Sequence, residues 1–381
     1  MGKSEKMKAI CEECVGCKAC AEACPQNAIT IVDNGLSIIA QIDTDKCLDC
    51  NLCIRICQNR NSIDLLKPTK WLQGWADHQK RSLSSSGGVA YELIDCFIKN
   101  GGNVYTCIYE DGDFIYKKVN NREDIKQFIG SKYVKSNPVG VYNSILSDLN
   151  NGNKVLFIGL PCHVQAVKMY MNRFSTHVGK LYTVDLICHG TPSGKLFKQY
   201  LEEERVDLTS INNISFRNKS NFSLTIDTAP VSSNKYFDYW IRPFLGGLTY
   251  TDNCYTCRFG QFNRCSDMTI GDSWGSELDL CERHKGISLI LVMTDKGRQL
   301  IENCNLHLES VDIEKARRAN PQLNHPTKKP KDRSKFERHL YKGYKHAVYS
   351  VYKVIIMKGY FYNTAVGRAY HSLRLHSKRN K

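Results

Sequence analysis

The sequence CVGCKACAEACP occupies residues 14–25, and CLDCNLCIRICQ follows at residues 47–58. Each stretch places three cysteines at two-residue gaps and a fourth cysteine four positions further on. The cysteines concerned are Cys14, Cys17, Cys20 and Cys24 in the first run, and Cys47, Cys50, Cys53 and Cys57 in the second. Because the spacing is repeated, the first part of the chain is predicted to contain two related metal-binding loops.

This spacing is typical of loops that hold two 4Fe–4S clusters, in which three thiolates wrap one face of a cluster and the fourth cysteine of each run reaches the other cluster. The predicted ligand sets are therefore Cys14, Cys17, Cys20 and Cys57 for one cluster, and Cys47, Cys50, Cys53 and Cys24 for the other. Two structural zinc sites are the alternative. Zinc favours separated C-x-x-C pairs over triplets with a remote fourth ligand, so clusters are the preferred interpretation.

The segment between the two runs predicts a β-hairpin. Residues 28–32 and 36–42 are strand-like, and Asp33-Asn34-Gly35 is a turn sequence. Residues 1–66 thus resemble the two-cluster bacterial ferredoxins and imply an α+β ferredoxin-like module. Gln58 departs from the pattern, because a second proline often stands there, and Cys11 is an extra thiol that we interpret as a spare.

Composition excludes several classes of protein. The chain has 381 residues and 18 cysteines, and its 42% apolar fraction is enough for a sizeable core in two or three domains. The start is polar and no run approaches the roughly 18–20 apolar residues of a membrane span. We therefore expect a cytoplasmic protein in which the cysteines serve metal or redox chemistry and not disulfides.

The basic charge is concentrated in the tail. Of the formal net charge of +15, residues 326–381 carry +13. Apolar residues recur there at intervals of three and four and predict a helix; they are Leu340, Tyr344, Val348, Val351 and Ile355. Three interpretations stay open for this basic helical tail: peripheral contact with anionic lipid, nucleic-acid binding, or packing on the body with a solvated basic face. Nucleic acid is the least favoured partner, because no recognised binding module accompanies the charge.

Residues 67–325 predict an α/β domain with a mixed sheet. Short β-branched runs alternate with helical stretches such as residues 141–149, as in a sheet that is covered on both faces. These runs lie at residues 104–109, 155–158, 181–187 and 287–293. A further antiparallel pair is predicted at residues 214–216 and 223–227, and residues 67–80 are predicted to be a linker.

Two of the predicted strands run directly into a cysteine. Cys162 follows one strand, Cys188 follows the next, and Cys254 and Cys257 form a C-x-x-C pair further on. Chemistry in α/β proteins is placed at the carboxyl ends of strands, and four thiols suffice for a third 4Fe–4S cluster. The alternatives are buried inert thiols, or a competing ligand at Cys265. The remaining thiols are interpreted as core or surface residues; they are Cys96, Cys107, Cys281 and Cys304.

A Ser/Gly loop precedes an apolar helix after the predicted linker; its residues are Ser84, Ser85, Ser86, Gly87 and Gly88. A glycine-rich loop that feeds a helix N-terminus offers free N–H groups to an anion. The loop is therefore a candidate site for a flavin or substrate phosphate. An ordinary helix cap is the alternative.

Six motifs occur in a fixed order along the body: SSSGGV (84–89), GSKYV (130–134), FIGLPC (157–162), DLICHG (185–190), the C-x-x-C pair and SDMTIGDSWG (266–275). With these motifs the chain resembles the coenzyme F420 hydrogenase/dehydrogenase beta-subunit family, specifically bacterial members with a fused ferredoxin module. The resemblance covers roughly residues 11–325. His163 departs from it, because glutamine is common after the cysteine of FIGLPC.

The resemblance implies a domain that binds FAD and its own 4Fe–4S cluster, the latter on Cys162, Cys188, Cys254 and Cys257. It places flavin near the Ser/Gly loop and near Gly271 and Asp272. Archaeal members exchange electrons with the deazaflavin coenzyme F420, and other relatives reduce different substrates, including a chlorophyll pigment. Fused bacterial members often accompany polysaccharide-synthesis genes, which suggests a sugar-linked substrate.

The expected function is an electron relay. A redox partner protein, a ferredoxin or a reductase, reduces the N-terminal clusters, and electrons then pass by the body cluster and FAD to a small molecule of unknown identity; the direction can also reverse. His189 or Lys132 is the candidate proton donor, unless His189 only binds the backbone. The alternatives are a non-catalytic electron-transfer subunit and a zinc-stabilised interaction module.

Overall fold

The computed structural model describes residues 14–208, 210–232, 234 and 237–363. The first module consists of short helices α1 (Ala19–Glu22) and α2 (Leu52–Arg55) around the hairpin β1 (Ile29–Asp33) and β2 (Ile38–Ile42). The two strands are antiparallel, with Ile29 opposite Ile42. The predicted hairpin is therefore present, and each helix begins inside one cysteine run.

The later elements follow the predicted alternation of strands and helices. They are β3 (Lys70–Trp75), α3 (His78–Leu83), α4 (Val89–Lys99), β4 (Asn103–Glu110), β5 (Asp113–Val119), α5 (Ile125–Phe128), α6 (Val141–Asn150), β6 (Val155–Gly159), α7 (Pro161–Phe174), β7 (Leu181–Leu186), α8 (Gly194–Glu203), β8 (Ile214–Asn218), β9 (Asn221–Ile226), β10 (Ala229–Pro230), α9 (Ile241–Leu245), β11 (Met268–Asp272), α10 (Leu280–His284), β12 (Ser288–Val292), α11 (Asp295–Glu302), β13 (His307–Glu309), α12 (Ile313–Ala319), α13 (Arg333–His339) and α14 (Tyr344–Asn363).

Eight of these strands form one mixed sheet in the order β13-β3-β12-β11-β7-β6-β4-β5. The four strands β11, β7, β6 and β4 are parallel, and antiparallel strands complete both sides. The carboxyl ends of β6 and β7 therefore meet at the same edge of the sheet. The predicted pair at residues 214–216 and 223–227 lies in a separate three-stranded sheet formed by β8, β9 and β10.

Strand β3 corrects the prediction of a linker at residues 67–80. It pairs with β12 on one side and with β13 on the other, so it lies inside the sheet. Its sequence, KWLQGW, lacks the β-branched residues that marked the other strands. A side chain at Gly74 would place its Cβ 2.4 Å from the carbonyl oxygen of His307, so glycine permits the close approach of β13.

Apolar helices cover both faces of the sheet. Leu93 of α4 and Leu300 of α11 belong to the core on one face. Ile145 of α6 and Val164 of α7 belong to the core on the other. All five residues of β6 are buried, as the sequence predicted for a central parallel strand.

The cysteine-rich module shares a core with the body. Ala19 and Ile56 lie in the same apolar cluster as Val164 and Phe259. The Glu22 carboxylate also accepts hydrogen bonds from the backbone N–H groups of Gly140 and Asn143, each at 2.9 Å, and so caps the start of α6. The cysteine-rich module and the body therefore pack against each other through a shared core.

The described part of the basic tail packs on the body. Tyr344, Val348 and Ile356 are 0% exposed and belong to a core that includes Trp240. The prediction for Ile355 was wrong, since its exposure is 43% and Ile356 is buried instead. Tyr352 has non-helical backbone angles, φ −101° and ψ 17°, and this kink rotates the next turn.

These contacts favour the packing interpretation for residues 326–363. Residues 364–381, which hold the rest of the basic charge, lie outside the described residues. Within the described ranges, no helix has the length and apolar character that crossing a bilayer requires.

Two valines of α14 provide a test of this packing. Val348→Ala removes a side chain that is 0% exposed, whereas Val354→Ala changes one that is 66% exposed. We expect Val348→Ala to lower the free energy of unfolding by roughly 2 kcal/mol relative to Val354→Ala. Urea unfolding followed by circular dichroism measures the difference, and equal values for the two variants would contradict a docked tail.

Candidate iron–sulfur site

The first predicted set of cysteines comes together in the structure. Burial raises the pKa of the Cys20 thiol well above its ordinary value, and the neighbouring thiols of Cys17, Cys14 and Cys57 raise it further. Burial raises the pKa of Cys17 to about 12, and Cys14 and Cys57 add to the effect. The thiols of Cys17 and Cys20 therefore favour the protonated form, and a metal that binds them would displace the proton.

The second predicted set lines one small pocket. Cys24, Cys47, Cys50 and Cys53 all face it, next to Pro25 and apolar residues of the hairpin. The backbone N–H of Ala28 lies 3.3 Å from the sulfur of Cys24, as expected for an amide that donates to a ligand sulfur. Cys50 is exposed and Leu48 is 65% exposed, so this set lies at the surface.

The two runs also share their backbone conformation. Gly16 and Lys18 have φ of +68° and +61°, and the equivalent Asp49 and Asn51 both have φ of +62°. Left-handed residues at alternate positions curl each loop so that its cysteines face inward. Glycine, asparagine and aspartate tolerate this conformation, whereas Lys18 is held in it by its surroundings.

A third set of thiols converges at the edge of the large sheet. Cys162 begins α7 after β6, and Cys188 follows β7. Burial raises the pKa of the Cys162 thiol. The neighbouring thiols of Cys257, Cys188 and Cys254 raise it further. The hydroxyl of Thr251 lies 3.3 Å from the sulfur of Cys254 and can donate to it.

Cys265 is separate from this third set. Its buried sulfur lies 3.5 Å from the carbonyl oxygen of Pro161 and 3.7 Å from a carboxylate oxygen of Asp185. Burial and the Asp185 carboxylate raise its pKa well above the ordinary value. Cys265 is therefore a buried thiol donor and not a fifth candidate ligand. Cys11 lies outside the described residues.

The other thiols lie away from the three sets. Cys96 is buried and donates to the carbonyl oxygen of Asn303 at 2.7 Å, and Cys304 neighbours it. Cys107 lies 3.2 Å from the hydroxyl of Ser136. Cys281 is exposed. The interpretation of these four as core or surface thiols agrees with their positions.

A buried ion pair stabilises chain segments that carry the third set of cysteines. Arg264 is 1% exposed and donates to Asp185 at 3.0 Å, to the carbonyl oxygen of Leu186 at 2.9 Å and to that of Phe259 at 2.7 Å. Leu186 ends the strand that leads to Cys188, and Phe259 follows Cys257. One guanidinium therefore fixes two of the segments that carry cysteines.

Gln58 joins the first set to the third, which sequence reasoning missed. Its side-chain amide donates to the carbonyl oxygen of Cys162 at 2.7 Å and also contacts the thiol of Cys17. Gln58 is 1% exposed. One feature of the sequence could have indicated this contact: Gln58 stands where a proline often follows the fourth cysteine. Proline has no hydrogen-bond donor, whereas the glutamine side chain has one.

The Ser/Gly loop opens α4 as predicted, but much of it is explained by packing. A Cβ at Gly87 would lie 2.5 Å from the carbonyl oxygen of Gly74, and Gly88 has φ of +83°. The three serine hydroxyls bind protein groups: Ser84 donates to Lys80, Ser85 accepts from the Ser131 N–H, and Ser86 donates to Ile287. The loop thus has a structural role in addition to any ligand.

Two cations lie beside the loop. Arg217 donates to the carbonyl oxygen of Ser85 at 2.8 Å, and Lys219 donates to those of Ser84 and Ser86 at 2.7 and 3.0 Å. Arg217 also pairs with both carboxylate oxygens of Asp272, at 2.6 and 3.1 Å. These contacts combine the predicted loop and Asp272 in one polar corner.

Aromatic rings border this polar corner. The Arg217 guanidinium lies 4.9 Å from the ring centre of Phe222 and 5.9 Å from that of Trp274, whose exposure is 37%. Gly271 has a different reason to be glycine, because its Cβ would lie 2.6 Å from the Ile187 side chain. The polar corner therefore combines charged groups with aromatic rings.

The two candidate proton donors have different surroundings. His189 is exposed on the loop after Cys188, and partial desolvation lowers its pKa while Asp272 opposes this effect. Lys132 donates to the carbonyl oxygens of Phe128 and Ile129, where it caps α5. Burial lowers the pKa of Lys132 to about 8. His189 therefore borders the polar corner, whereas Lys132 is bound to backbone.

His163, the other departure from the family pattern, lies in the core. It is 0% exposed, and its Nδ1 lies 3.0 Å from the hydroxyl of Tyr116. Burial lowers its pKa to about 3, so the ring is neutral. This position gives it no direct access to a ligand in the polar corner.

The fold and the cysteine sets define the class: this is an iron–sulfur electron-transfer protein. Residues 152–316 match the family described as the C terminus of the beta subunit of coenzyme F420 hydrogenase/dehydrogenase, and residues 13–61 match the family described as the 4Fe-4S dicluster domain. The chain is therefore similar to the beta subunit of coenzyme F420 hydrogenase/dehydrogenase over residues 152–316 and carries a 4Fe–4S domain at its N-terminal side. The resemblance drawn from the six motifs is confirmed.

Two individual proteins resemble parts of the chain. A subunit of the ion-translocating oxidoreductase complex of Methanosarcina acetivorans is 39% identical over 59 residues, which are 15% of this chain and 21% of that protein. The match thus spans about a fifth of that relative's length. A chain of the F420-reducing [NiFe] hydrogenase complex from Methanosarcina barkeri shares 16% identity with a TM-score of 0.47, over 74% of this chain and 97% of the other.

The buried Arg264–Asp185 pair yields a test of the third set's framework. Arg264→Met leaves Asp185 charged and buried, and we expect a loss of about 3–5 kcal/mol in the free energy of unfolding. The control is Arg298→Met, which breaks exposed pairs with Asp295 and Glu302 and is expected to cost at most about 1 kcal/mol. Urea unfolding measures both, and a similar small loss in each variant would contradict the bracing role.

Proposed function

We propose that this chain is an iron–sulfur flavin oxidoreductase that relays electrons from 4Fe–4S clusters through FAD to a small organic substrate or a deazaflavin-type coenzyme. The observation that carries the proposal is the convergence of three sets of four cysteines. The sets follow one another from the exposed Cys50, past Cys17, to the half-buried Cys162.

The residues fit 4Fe–4S clusters at all three sets. Each set offers four thiols, and donors such as the Ala28 N–H and the Thr251 hydroxyl lie at ligand sulfurs. The ligands would be Cys14, Cys17, Cys20 and Cys57; Cys24, Cys47, Cys50 and Cys53; and Cys162, Cys188, Cys254 and Cys257. A bound cluster supplies one-electron transfer.

A redox partner protein would contact the surface around the second set. Leu48 is 65% exposed and stands between Cys47 and Cys50, and an exposed leucine beside a redox group suits a transient protein contact. The body lies beyond the first set, which Gln58 links to Cys162. This order supports entry of electrons at the surface and their use in the body.

The polar corner is the proposed place for FAD, which supplies the exchange between one-electron and two-electron chemistry. Ser84, Ser85, Ser86, Gly87 and Gly88 lie on one side of the corner. Gly271 and Asp272 lie on the other, with Arg217 between them. The fit is partial, because Asp272 and the loop carbonyls already engage the two cations. His189 is the proposed proton donor at this corner, and Lys132 is the alternative.

The substrate class is proposed from the family, as a deazaflavin-type coenzyme or a sugar-linked molecule of polysaccharide synthesis. No membrane contact is proposed for the described part of the tail, because Tyr344, Val348 and Ile356 belong to the core that includes Trp240.

Iron analysis tests the third cluster. The full chain, purified and reconstituted under anaerobic conditions, should hold about twelve iron atoms, since each 4Fe–4S cluster has four. Cys162→Ala should reduce this to about eight, because it removes a ligand of the third set. The exposed Cys281→Ala is the matched control and should keep the wild-type content. Equal iron in wild type and Cys162→Ala would exclude a third cluster.

Flavin analysis separates the oxidoreductase from a non-catalytic electron-transfer subunit. We expect the anaerobic holoprotein to release FAD on denaturation. Arg217→Met should retain less FAD, because the variant removes one of the two cations beside the Ser/Gly loop. Arg298→Met, which changes an exposed surface pair, should retain the wild-type amount. Iron–sulfur absorption without flavin would favour the electron-transfer subunit, and a colourless protein would favour the zinc-stabilised module.

A further inference from the structure

Lys135 lies where three cysteine-bearing segments meet. It is 4% exposed, and its ammonium group lies 3.2 Å from the carbonyl oxygen of Val15 and 3.3 Å from the side-chain oxygen of Asn253. Its backbone N–H donates to the carbonyl oxygen of Pro192 at 2.8 Å. Val15 lies between the first two cysteines of the chain's first run, Asn253 precedes Cys254, and Pro192 follows the Cys188 loop.

The same ammonium faces the whole third set. Burial alone would lower the pKa of Lys135, but Cys254, Cys162, Cys188 and Cys257 outweigh this effect and the pKa is raised from its ordinary value. A lysine side chain is ordinarily a cation at neutral pH, and the contacts with Val15 and Asn253 hold this one next to segments that carry Cys14 and Cys254. Both hydrogen-bond acceptors of its ammonium are neutral oxygens, of Val15 and Asn253, so they leave its charge uncompensated.

The positive charge of Lys135 bears on the reduction potential of a cluster bound by the third set. A 4Fe–4S cluster with four thiolates carries about −2 when oxidised and about −3 when reduced, and its potential depends on charge and hydrogen bonding around it. A fixed positive charge in a desolvated site stabilises the more negative state, and the effect is stronger there than in water.

We propose that Lys135 is a positioning residue that raises the reduction potential of the cluster held by Cys162, Cys188, Cys254 and Cys257. It does so as a buried cation between that set and the loop of Cys14 and Cys17. This inference rests on the proposed function, because it requires a cluster at the third set. Lys135 thereby makes the body cluster a better electron acceptor than it would be without this charge.

The experiment is a redox titration of the reconstituted full chain, followed by electron paramagnetic resonance. The signal observed is the one that Cys162→Ala removes. Lys135→Met keeps a long side chain and removes the charge. At a fixed potential, the ratio of reduced to oxidised cluster should fall at least tenfold in this variant, which corresponds to a decrease of about 59 mV in the reduction potential for one electron. Lys135→Arg keeps the charge and should retain a ratio close to that of the wild type.

Lys296→Met is the matched control. Its ammonium also donates to backbone carbonyl oxygens, those of Val178 and Leu181, but the charged groups that act on it are Asp267 and Lys168. We expect no change in the cluster signal. An unchanged potential in Lys135→Met with full iron content would overturn the proposal, as would equal shifts in the Met and Arg variants.

Iron content separates the possible failures. If Lys135→Met loses the third cluster while Lys135→Arg keeps it, the charge is required for assembly, and this outcome would overturn a role in setting the reduction potential. Loss of the cluster in both variants would overturn a role for charge. If wild type and Cys162→Ala hold equal iron, the third cluster is absent. This outcome would reject the third cluster of the proposed function, whatever the results for the Lys135 variants.

Discussion

The burial of clustered thiols is the constraint on which this structure depends. Desolvation raises the pKa of Cys17 and Cys188 to about 12 and that of Cys162 well above its ordinary value. Thiols that hold their protons so tightly gain little from one another, so the rest of the fold must keep them together. Arg264, Gln58 and Lys135 each join chain segments that carry different cysteines. The framework that surrounds the thiols therefore comes from these protein contacts.

The sheet and the cysteine-rich module form one framework. Parallel strands β6 and β7 bring Cys162 and Cys188 to a common edge, and the hydroxyl of Tyr142 donates to the carbonyl oxygen of Cys17 on the opposite side of the junction. Because Val164 and Ile56 share one apolar cluster, the first and third sets cannot move apart without exposing that core. A fixed separation between redox groups suits transfer without large motions.

Sequence patterns predicted the elements whose signals are local. The cysteine spacing anticipated the sets that meet, and β-branched runs anticipated the strands of the parallel centre. Strand β3 was missed because KWLQGW has no alternating or β-branched pattern, and its pairing with β12 and β13 is a long-range property. The apolar stripe of the tail was right up to the kink at Tyr352 and wrong after it.

The parts that sequence could not supply are those where distant residues meet. No local pattern indicates that Lys135 faces four thiols, or that Arg217 pairs with Asp272. The Ser/Gly loop illustrates the opposite error, because its glycines suit a phosphate site but are also required by the close approach of Gly74. A motif of small residues indicates close packing, but the motif alone does not distinguish packing against a ligand from packing against the protein.

The carboxylate of Glu22 contacts the start of α6 although it belongs to the cysteine-rich module, and that contact has a consequence for modularity. A helix of the body begins on a group that the preceding module provides. Fusion of a ferredoxin to this body is therefore more than a tether that delivers electrons. Exchanging the module for a generic ferredoxin would also remove a helix cap and part of a core, so the two halves are expected to have become dependent on each other.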